Sequence, residues 1–306
     1  MIPIKLQKVL TFEAGKDKIG WSRGGLPRAA APPHEIYSYT ELLRKVAALA
    51  YYNKQYSLLF RWQSNDFMYN ANGEGGIHSH LYPSILRTVP GIANSPVDMK
   101  FVLKRRFAIL AEAEKKLKAS AKIGETRRDQ TLRWALLQHY EVCPTPLLDV
   151  TSSLQIALSF ALADSRDDTL LFVLAVPQIT GIVAVSLESE TQVVRLSQIC
   201  PPEALRPHFQ EASLIGNYPV WEQEEFLGDF RKKFRSNLAG RLLAKFRLNK
   251  CNSWREKGFT PTSAYILRPN DEDPYFSIMG DVKSYIRPKL DELRQAIGLP
   301  LRDSKR

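Results

Sequence analysis

Cysteine is scarce in this chain, and the three that occur, Cys143, Cys200 and Cys251, stand too far apart to share a local pairing or metal-ligand spacing. That excludes a disulfide-stapled scaffold and a zinc ribbon, and it makes a reducing cytoplasm the expected compartment. No apolar run approaches bilayer length, so no membrane association is expected, and Met1 to Thr11 lacks the apolar core and small-residue cleavage site of a secretory leader. Repeats and low-complexity tracts are missing. Gly73, Gly75 and Gly76 lack the strand-then-helix frame of a nucleotide fingerprint, and His78 and His80 have no partners at zinc spacing, so no metal is expected. Acidic residues are outnumbered, 32 against 43 Lys and Arg, which leaves a formal net charge of +11.

What is present describes an ordinary globular protein. The 306 residues are 44% hydrophobic and 25% charged, enough to bury a substantial core. The expected organisation is an irregular arm over residues 1–35, a main domain over 36–225, and a basic extension over 226–306 packed on that domain. The excess charge is concentrated: residues 231–257 hold ten Lys/Arg and one Glu, and residues 100–128 hold ten Lys/Arg and three Glu. Such blocks are either solvated helix faces or surfaces for a polyanion or an acidic protein.

Periodicity predicts helices over Tyr39–Asn53, Asp98–Ala119, Lys232–Leu248 and Val282–Ile297. The second has Phe101, Leu103, Phe107, Leu110 and Ala111 as its buried stripe. Strands are predicted over Ser57–Trp62, Leu147–Val150, Thr169–Val176, Gly181–Ser186, Val193–Ile199 and Ala264–Arg268. Gly15–Pro33 and Ser64–His80 read as irregular. Interleaved helices and short strands favour an α+β fold.

The densest chemistry lies in Gln138–Ala163, QHYEVCPTPLLDVTSSLQIALSFALA. A short buried strand ends at a Thr151-Ser152-Ser153 turn, which caps a helix entered near Leu154, with Ile156, Ala157, Phe160 and Ala161 facing inward. Hydroxyls and free N–H groups at such a turn suit a phosphate or ribose, although capping alone also explains them.

Four motifs stand in order: Phe60-Arg61-Trp62-Gln63; Tyr82-Pro83-Ser84-Ile85-Leu86-Arg87; Gln138-His139-Tyr140 with Pro144 to Thr151 and Ala157 to Ala161; and Arg206 with Gln210. Together they resemble the FRG domain family, whose pattern is approximately FRGQ, L-x-PS-x-x-R, QHYG-x-PTRLLDWT with ALYFA, and R-x-x-x-Q. The resemblance runs from about Leu58 to Pro219. Trp62 stands in place of the pattern's glycine, Pro146 of its arginine and Val150 of its tryptophan.

The order of an arginine ending an early strand, a Ser/Thr turn before an A-x-x-F-A helix, and a late Gln/Glu strand is also similar to ADP-ribosyltransferases. That similarity implies a split mixed sheet flanked by helices, with NAD as substrate lying across the split. It implies NAD contacts from Arg61, Gln63, Tyr82, His139, Tyr140, Thr151 and Ser152, with Arg61, Gln210 and Glu211 as the catalytic group. Glu225, in EQEEF, is the alternative carboxylate. An arginine suits the pyrophosphate because its guanidinium binds bidentately, and a carboxylate suits the oxocarbenium character that develops as the nicotinamide leaves. Residue by residue, structural roles compete: His139 as a core histidine tied to Asp149, and Tyr82 and Tyr140 as core aromatics.

The expected function is transfer of ADP-ribose from NAD to a nucleic acid held by residues 100–128 and 231–257, with RNA preferred over DNA. A toxin or phage-defence effector restrained by an antitoxin or chaperone would fit that activity. The alternative is a non-catalytic nucleic-acid- or protein-binding module that retains the FRG fold.

Overall fold

The computed structural model describes residues 8–12, 19–23, 29–70, 77–87, 96–120, 129–163, 169–178, 180–187, 189–218, 237–249, 254, 258–263, 267–268 and 271–299. Among them are twelve strands, β1 Lys8–Phe12, β2 Ile19–Arg23, β3 His34–Ile36, β4 Tyr56–Gln63, β5 Met68–Asn70, β6 Ile77–Ser79, β7 Leu147–Thr151, β8 Leu170–Pro177, β9 Val183–Ser186, β10 Thr191–Arg195, β11 Ala212–Asn217 and β12 Leu242–Leu248. The α-helices are α1 Tyr39–Tyr52, α2 Pro96–Ala119, α3 Gln130–His139, α4 Leu154–Ala163, α5 Leu196–Ile199, α6 Leu205–Phe209 and α7 Pro274–Ala296. No helix among the described residues is long and apolar enough to cross a membrane.

Eight strands form one mixed sheet in the order β3-β12-β8-β4-β7-β11-β10-β9, with β3 parallel to β12 and the other pairs antiparallel. This is the α+β arrangement expected. Alternation along the strands separates two faces. On one face, Phe60, Leu171 and Val173 pack against Leu42, Val46 and Leu49 of α1 and Ala157, Leu158 and Ala161 of α4. Farther along it, Leu147, Val194 and Leu214 meet α2, α3 and α7. On the opposite face, Leu59, Leu148, Leu170, Phe172, Leu174 and Ile215 pack with Leu81, Leu238 and Leu242.

Local sequence explains the helix starts. Ser38 accepts from Glu41 N at 3.3 Å, Asp129 from Leu132 N at 3.1 Å, and Asp273 from Tyr275 N at 2.9 Å with Pro274 at the first turn. In α2 the buried positions are Met99, Val102, Leu103, Ile109, Leu110, Ala113 and Leu117, whereas Phe101 is 48% exposed and Ala111 faces solvent. The inward stripe is therefore rotated from the one predicted.

The clearest departure concerns residues 242–248. They form a strand entered by a 3-10 turn over Leu238–Arg241, not part of a basic helix. The physical cause is burial on both faces: Leu242, Leu243, Ala244, Lys245, Phe246 and Leu248 are all buried, so the apolar spacing belongs to a strand covered twice. Lys245 is buried in an ion pair with Asp66 and donates to Ala29 O at 3.0 Å and Ser79 Oγ at 2.9 Å. Arg247 pairs with Glu35 at 3.0 Å. These two charges of the basic block are thus used inside the fold, while residues 232–236 and 250–253 lie outside the described residues. Within stretches read as irregular, β2 pairs with β1 and β5 pairs with β6. Residues 191–199 divide into β10 and α5 instead of forming a single strand. Of the strand predicted over Ala264–Arg268, residues 264–266 lie outside the described residues, and Leu267 and Arg268 are not in a strand.

One joint in the sheet is unlike the others. β4 pairs with β8 over eight residues, from Tyr56 to Gln63, but with β7 only at Phe60↔Thr151. Past that rung the two strands separate, and the sheet is split along its middle.

Candidate functional site

The split opens into a cavity of about 680 Å³. Phe60, Arg61, Trp62 and Gln63 all line it, although neighbouring residues of a strand point to opposite faces. Both faces reach the same space because β7 has left the edge of β4. The Arg61 side chain takes the place of the missing ladder: its Nη1 donates to the Asp149 carbonyl at 2.7 Å, and its Nε is buried without a hydrogen-bond partner. Withdrawal from bulk water pulls the Arg61 guanidinium down to about 10, opposed by the Asp149 carboxylate and aided by nearby Arg87.

Asp149 is the counter-charge that both Arg61 and Arg87 face. Burial acts to raise its carboxyl, but the His139 ring, the Arg61 guanidinium and the Gln138 amide outweigh that and hold it below the ordinary value. Gln138 Nε2 donates to Asp149 Oδ2 at 2.6 Å, while Gln138 Oε1 accepts from Ser84 Oγ at 3.0 Å and Thr145 Oγ1 at 2.7 Å. The amide is thereby fixed in orientation, and so is the carboxylate it holds. His139 Nδ1 lies 3.7 Å from Asp149 Oδ1. Burial, only partly offset by that carboxylate, lowers the His139 pKa and keeps the ring neutral.

A second charged pair also lines the cavity, next to His139, which feels both Asp149 and Arg206. Arg206 Nη2 donates to Glu141 Oε1 at 3.1 Å, and its guanidinium lies 5.7 Å from the centre of the Tyr140 ring. Glu141 has φ +57°, in the left-handed region that favours glycine. It follows Tyr140 directly, as the pattern's glycine does, although three residues instead of two separate Tyr140 from Pro144 here, and its backbone makes it a strained carboxylate on the cavity wall. Tyr140 Oη donates to Asp273 Oδ2 at 2.7 Å, and the Arg206 backbone N–H donates to the same oxygen at 3.0 Å. The residue that caps α7 thus also anchors this side of the site.

Of the residues singled out in the sequence, Arg61, Gln63, Tyr82, His139, Thr151 and Gln210 line the cavity together. Tyr140, Ser152 and Glu211 do not. Tyr140 is buried behind Arg206, Ser152 faces solvent, and Glu211 is exposed in the turn between α6 and β11 with φ +44°. Glu225 lies outside the described residues. Gln210 also precedes β11 instead of lying on it, and its amide donates to the Leu267 carbonyl, which fixes the segment carrying Arg268. Thr151 Oγ1 donates to the carbonyls of Gln210 and Glu211, at 3.1 and 3.2 Å, and accepts from Ser153 N at 3.0 Å, so it ties the turn together. Ser153 in turn accepts from Ile156 N at 3.4 Å, as expected of a cap.

Sequence reasoning did not assign Arg87, Glu141 or Arg268 to the site. Arg87 closes the second motif and was open to detection there. Glu141 adjoins the Gln138-His139-Tyr140 motif but was not singled out, and Arg268 carries no motif signal. Phe160, expected on the inner face of α4, and Trp62 complete an aromatic wall beside Phe67, Met68 and Ile156. The cavity therefore has one cationic and carboxylate-bearing side and one apolar side, a combination suited to an anionic ligand with an apolar or aromatic part.

No curated protein and no solved structure matches the chain. One family model does, and it covers residues 73–169 within the wider span over which the motifs run. Tyr82, Arg87, His139, Glu141, Asp149 and Thr151 all fall inside it, so the carboxylate-bearing wall of the cavity comes from the part of the chain that matches the FRG domain.

Proposed function

We propose that the chain binds NAD across the split sheet and transfers its ADP-ribose to a nucleic acid, as an ADP-ribosyltransferase-like enzyme. The observation that carries this reading is the cavity at the β4–β7 split, where Arg61 and Arg87 face a carboxylate held ionised in a fixed position. In the proposed reaction the bond between the ribose C1′ and the nicotinamide nitrogen breaks, and nicotinamide leaves with the electron pair. Asp149 stabilises the resulting oxocarbenium character, and Arg61 and Arg87 bind the pyrophosphate. A hydroxyl or amine of the acceptor forms the new bond to C1′, and its proton passes to Glu141. Glu211, the first choice on sequence grounds, stands away from this cavity, so the assignment moves to the two carboxylates that line it.

A nucleic-acid acceptor is supported by the outer face of α2, where Lys100, Lys104, Arg105, Lys115, Lys116 and Lys118 are exposed. RNA is the first substrate to test. An inhibitory protein covering the basic surface belongs to the same proposal, in which the chain is a toxin or phage-defence effector.

The experiment is transfer of labelled ADP-ribose from NAD to RNA, DNA and protein in parallel, with NAD binding followed by calorimetry. Wild type is expected to label nucleic acid, and Arg61→Ala to lose both binding and transfer. The second reading, a binding module without catalysis, is favoured by the existing bonds of Arg61 to the Asp149 carbonyl and of Arg206 to Glu141. Binding of nucleic acid with neither labelling nor NAD hydrolysis would select it.

A further inference from the structure

Trp62 is where this chain exchanges the glycine of the FRG pattern for the largest side chain available. Its indole lies nearly parallel to the Phe160 ring, with centroids 6.2 Å apart and planes 11° from each other. Parallel rings at that spacing are either slipped past one another or too far apart for full face contact, so much of the indole face is left uncovered by Phe160. Both rings line the cavity and both are only partly buried. The Arg268 guanidinium stands 5.8 Å from the centre of the Phe160 ring, and Gln210 holds its segment through the Leu267 carbonyl. Two parallel rings and a planar cation thus form a shelf in the cavity that Arg61, Asp149 and Arg87 also line.

We infer that Trp62, Phe160 and Arg268 form a stacking subsite for a planar heteroaromatic ring, the base end of a nucleotide whose phosphates lie against Arg61 and Arg87. The subsite rests on the reading that the cavity takes a nucleotide, but it makes a separate claim about which residues hold the ring. Stacking suits these residues because an aromatic face and a guanidinium plane both attract π-systems without needing matched hydrogen bonds. It also gives the Trp62 replacement a chemical purpose. A glycine would leave the edge of β4 bare, whereas an indole there supplies a ring surface at the split. Adenine and nicotinamide share this chemistry, and the probes below separate them.

The test is calorimetry on the full chain with AMP, nicotinamide mononucleotide and inorganic pyrophosphate. The variants are Trp62→Gly, Trp62→Phe and Arg268→Ala, each compared with wild type by circular dichroism and thermal unfolding. Trp62→Gly is expected to weaken binding of one or both ring-bearing probes by roughly 5- to 100-fold, the scale of a lost aromatic–base stack. Pyrophosphate affinity is expected to stay within about twofold, because its binding needs only the arginines. Trp62→Phe is expected to retain most of the affinity, and Arg268→Ala to show a smaller loss confined to the same probe. A preferential loss for AMP assigns the shelf to adenine, and one for nicotinamide mononucleotide assigns it to nicotinamide. If folded Trp62→Gly binds both ring-bearing probes as wild type does, the shelf is refuted while the nucleotide reading stands. Equal weakening of all three probes also refutes a ring-specific role. Failure of wild type to bind any probe overturns both ideas.

Discussion

Replacing Asp149 by Asn tests the electrostatic design of the site without relying on any catalytic assignment. The substitution keeps the shape of the side chain but removes the charge that Arg61 and Arg87 face. Gln138 Nε2, now 2.6 Å from a carboxylate oxygen, would meet a neutral amide instead. A hydrogen bond to a charged group contributes about 1.5–3 kcal/mol. Because the Asp149 side chain is 39% exposed, screening reduces this to about 1–2 kcal/mol. For a chain of 306 residues that corresponds to a Tm lowered by about 1.5–3 °C. Anion binding is expected to change in the opposite sense. Removing a negative charge about 8 Å from a bound phosphate, at an effective dielectric constant near 20, favours the anion by about 1–2 kcal/mol, roughly 5- to 30-fold. Differential scanning calorimetry reads the first effect and titration with inorganic pyrophosphate the second. Under the proposed reaction, transfer should nevertheless fall by about 10² to 10⁴, because a carboxylate acting on the ribose is lost. An unchanged Tm together with unchanged pyrophosphate affinity would refute Asp149 as the counter-charge of this cavity.

Two further predictions concern the frame of the site. His139 is held neutral, so its folded pKa lies below the ordinary 6.5. The unfolded chain therefore binds the proton first, and stability is lost as pH falls below about 6.5 towards the folded value. Urea midpoints at pH 7.5 and pH 5 should differ less for His139→Gln than for wild type; equal differences would exclude the ring as the source. Gly216→Ala on β11 should cost about 1–3 kcal/mol by overpacking, since the added Cβ would stand 2.8 Å from both the Pro146 carbonyl and Leu147 Cδ2. A urea midpoint equal to that of wild type would show that β7 and β11 can separate there.

The parts of the fold readable in the sequence were those whose signals were local. α1 carries its own cap at Ser38 and a regular stripe at Leu42, Val46 and Leu49, and β7 is bounded by Pro146 and the Thr-Ser-Ser turn. Residues 242–248 were misleading because a strand buried on both faces has no alternation, and Lys245 looked like surface charge when its partner Asp66 is distant in sequence. The site follows the same division. Arg61, His139 and Gln210 belonged to motifs and met in the cavity, and Asp149 was expected beside His139. Glu141 reaches the wall through a backbone conformation that a residue name does not reveal, and Arg268 arrives through a contact of Gln210 with Leu267 across 57 positions. Glu211 adjoined a motif residue, yet its turn carries it away from the cavity.

Under the proposed reading, the single rung between β4 and β7 would couple anion binding to the shape of the sheet. Beyond Phe60↔Thr151, the Arg61 side chain bridges the half-sheets through the Asp149 carbonyl. An anion that draws Arg61 off that carbonyl removes a tie across the seam. By thermodynamic reciprocity, anything that widens the seam releases the same guanidinium for the anion. The coupling between anion affinity and opening of the seam would then have one value, measurable from either end.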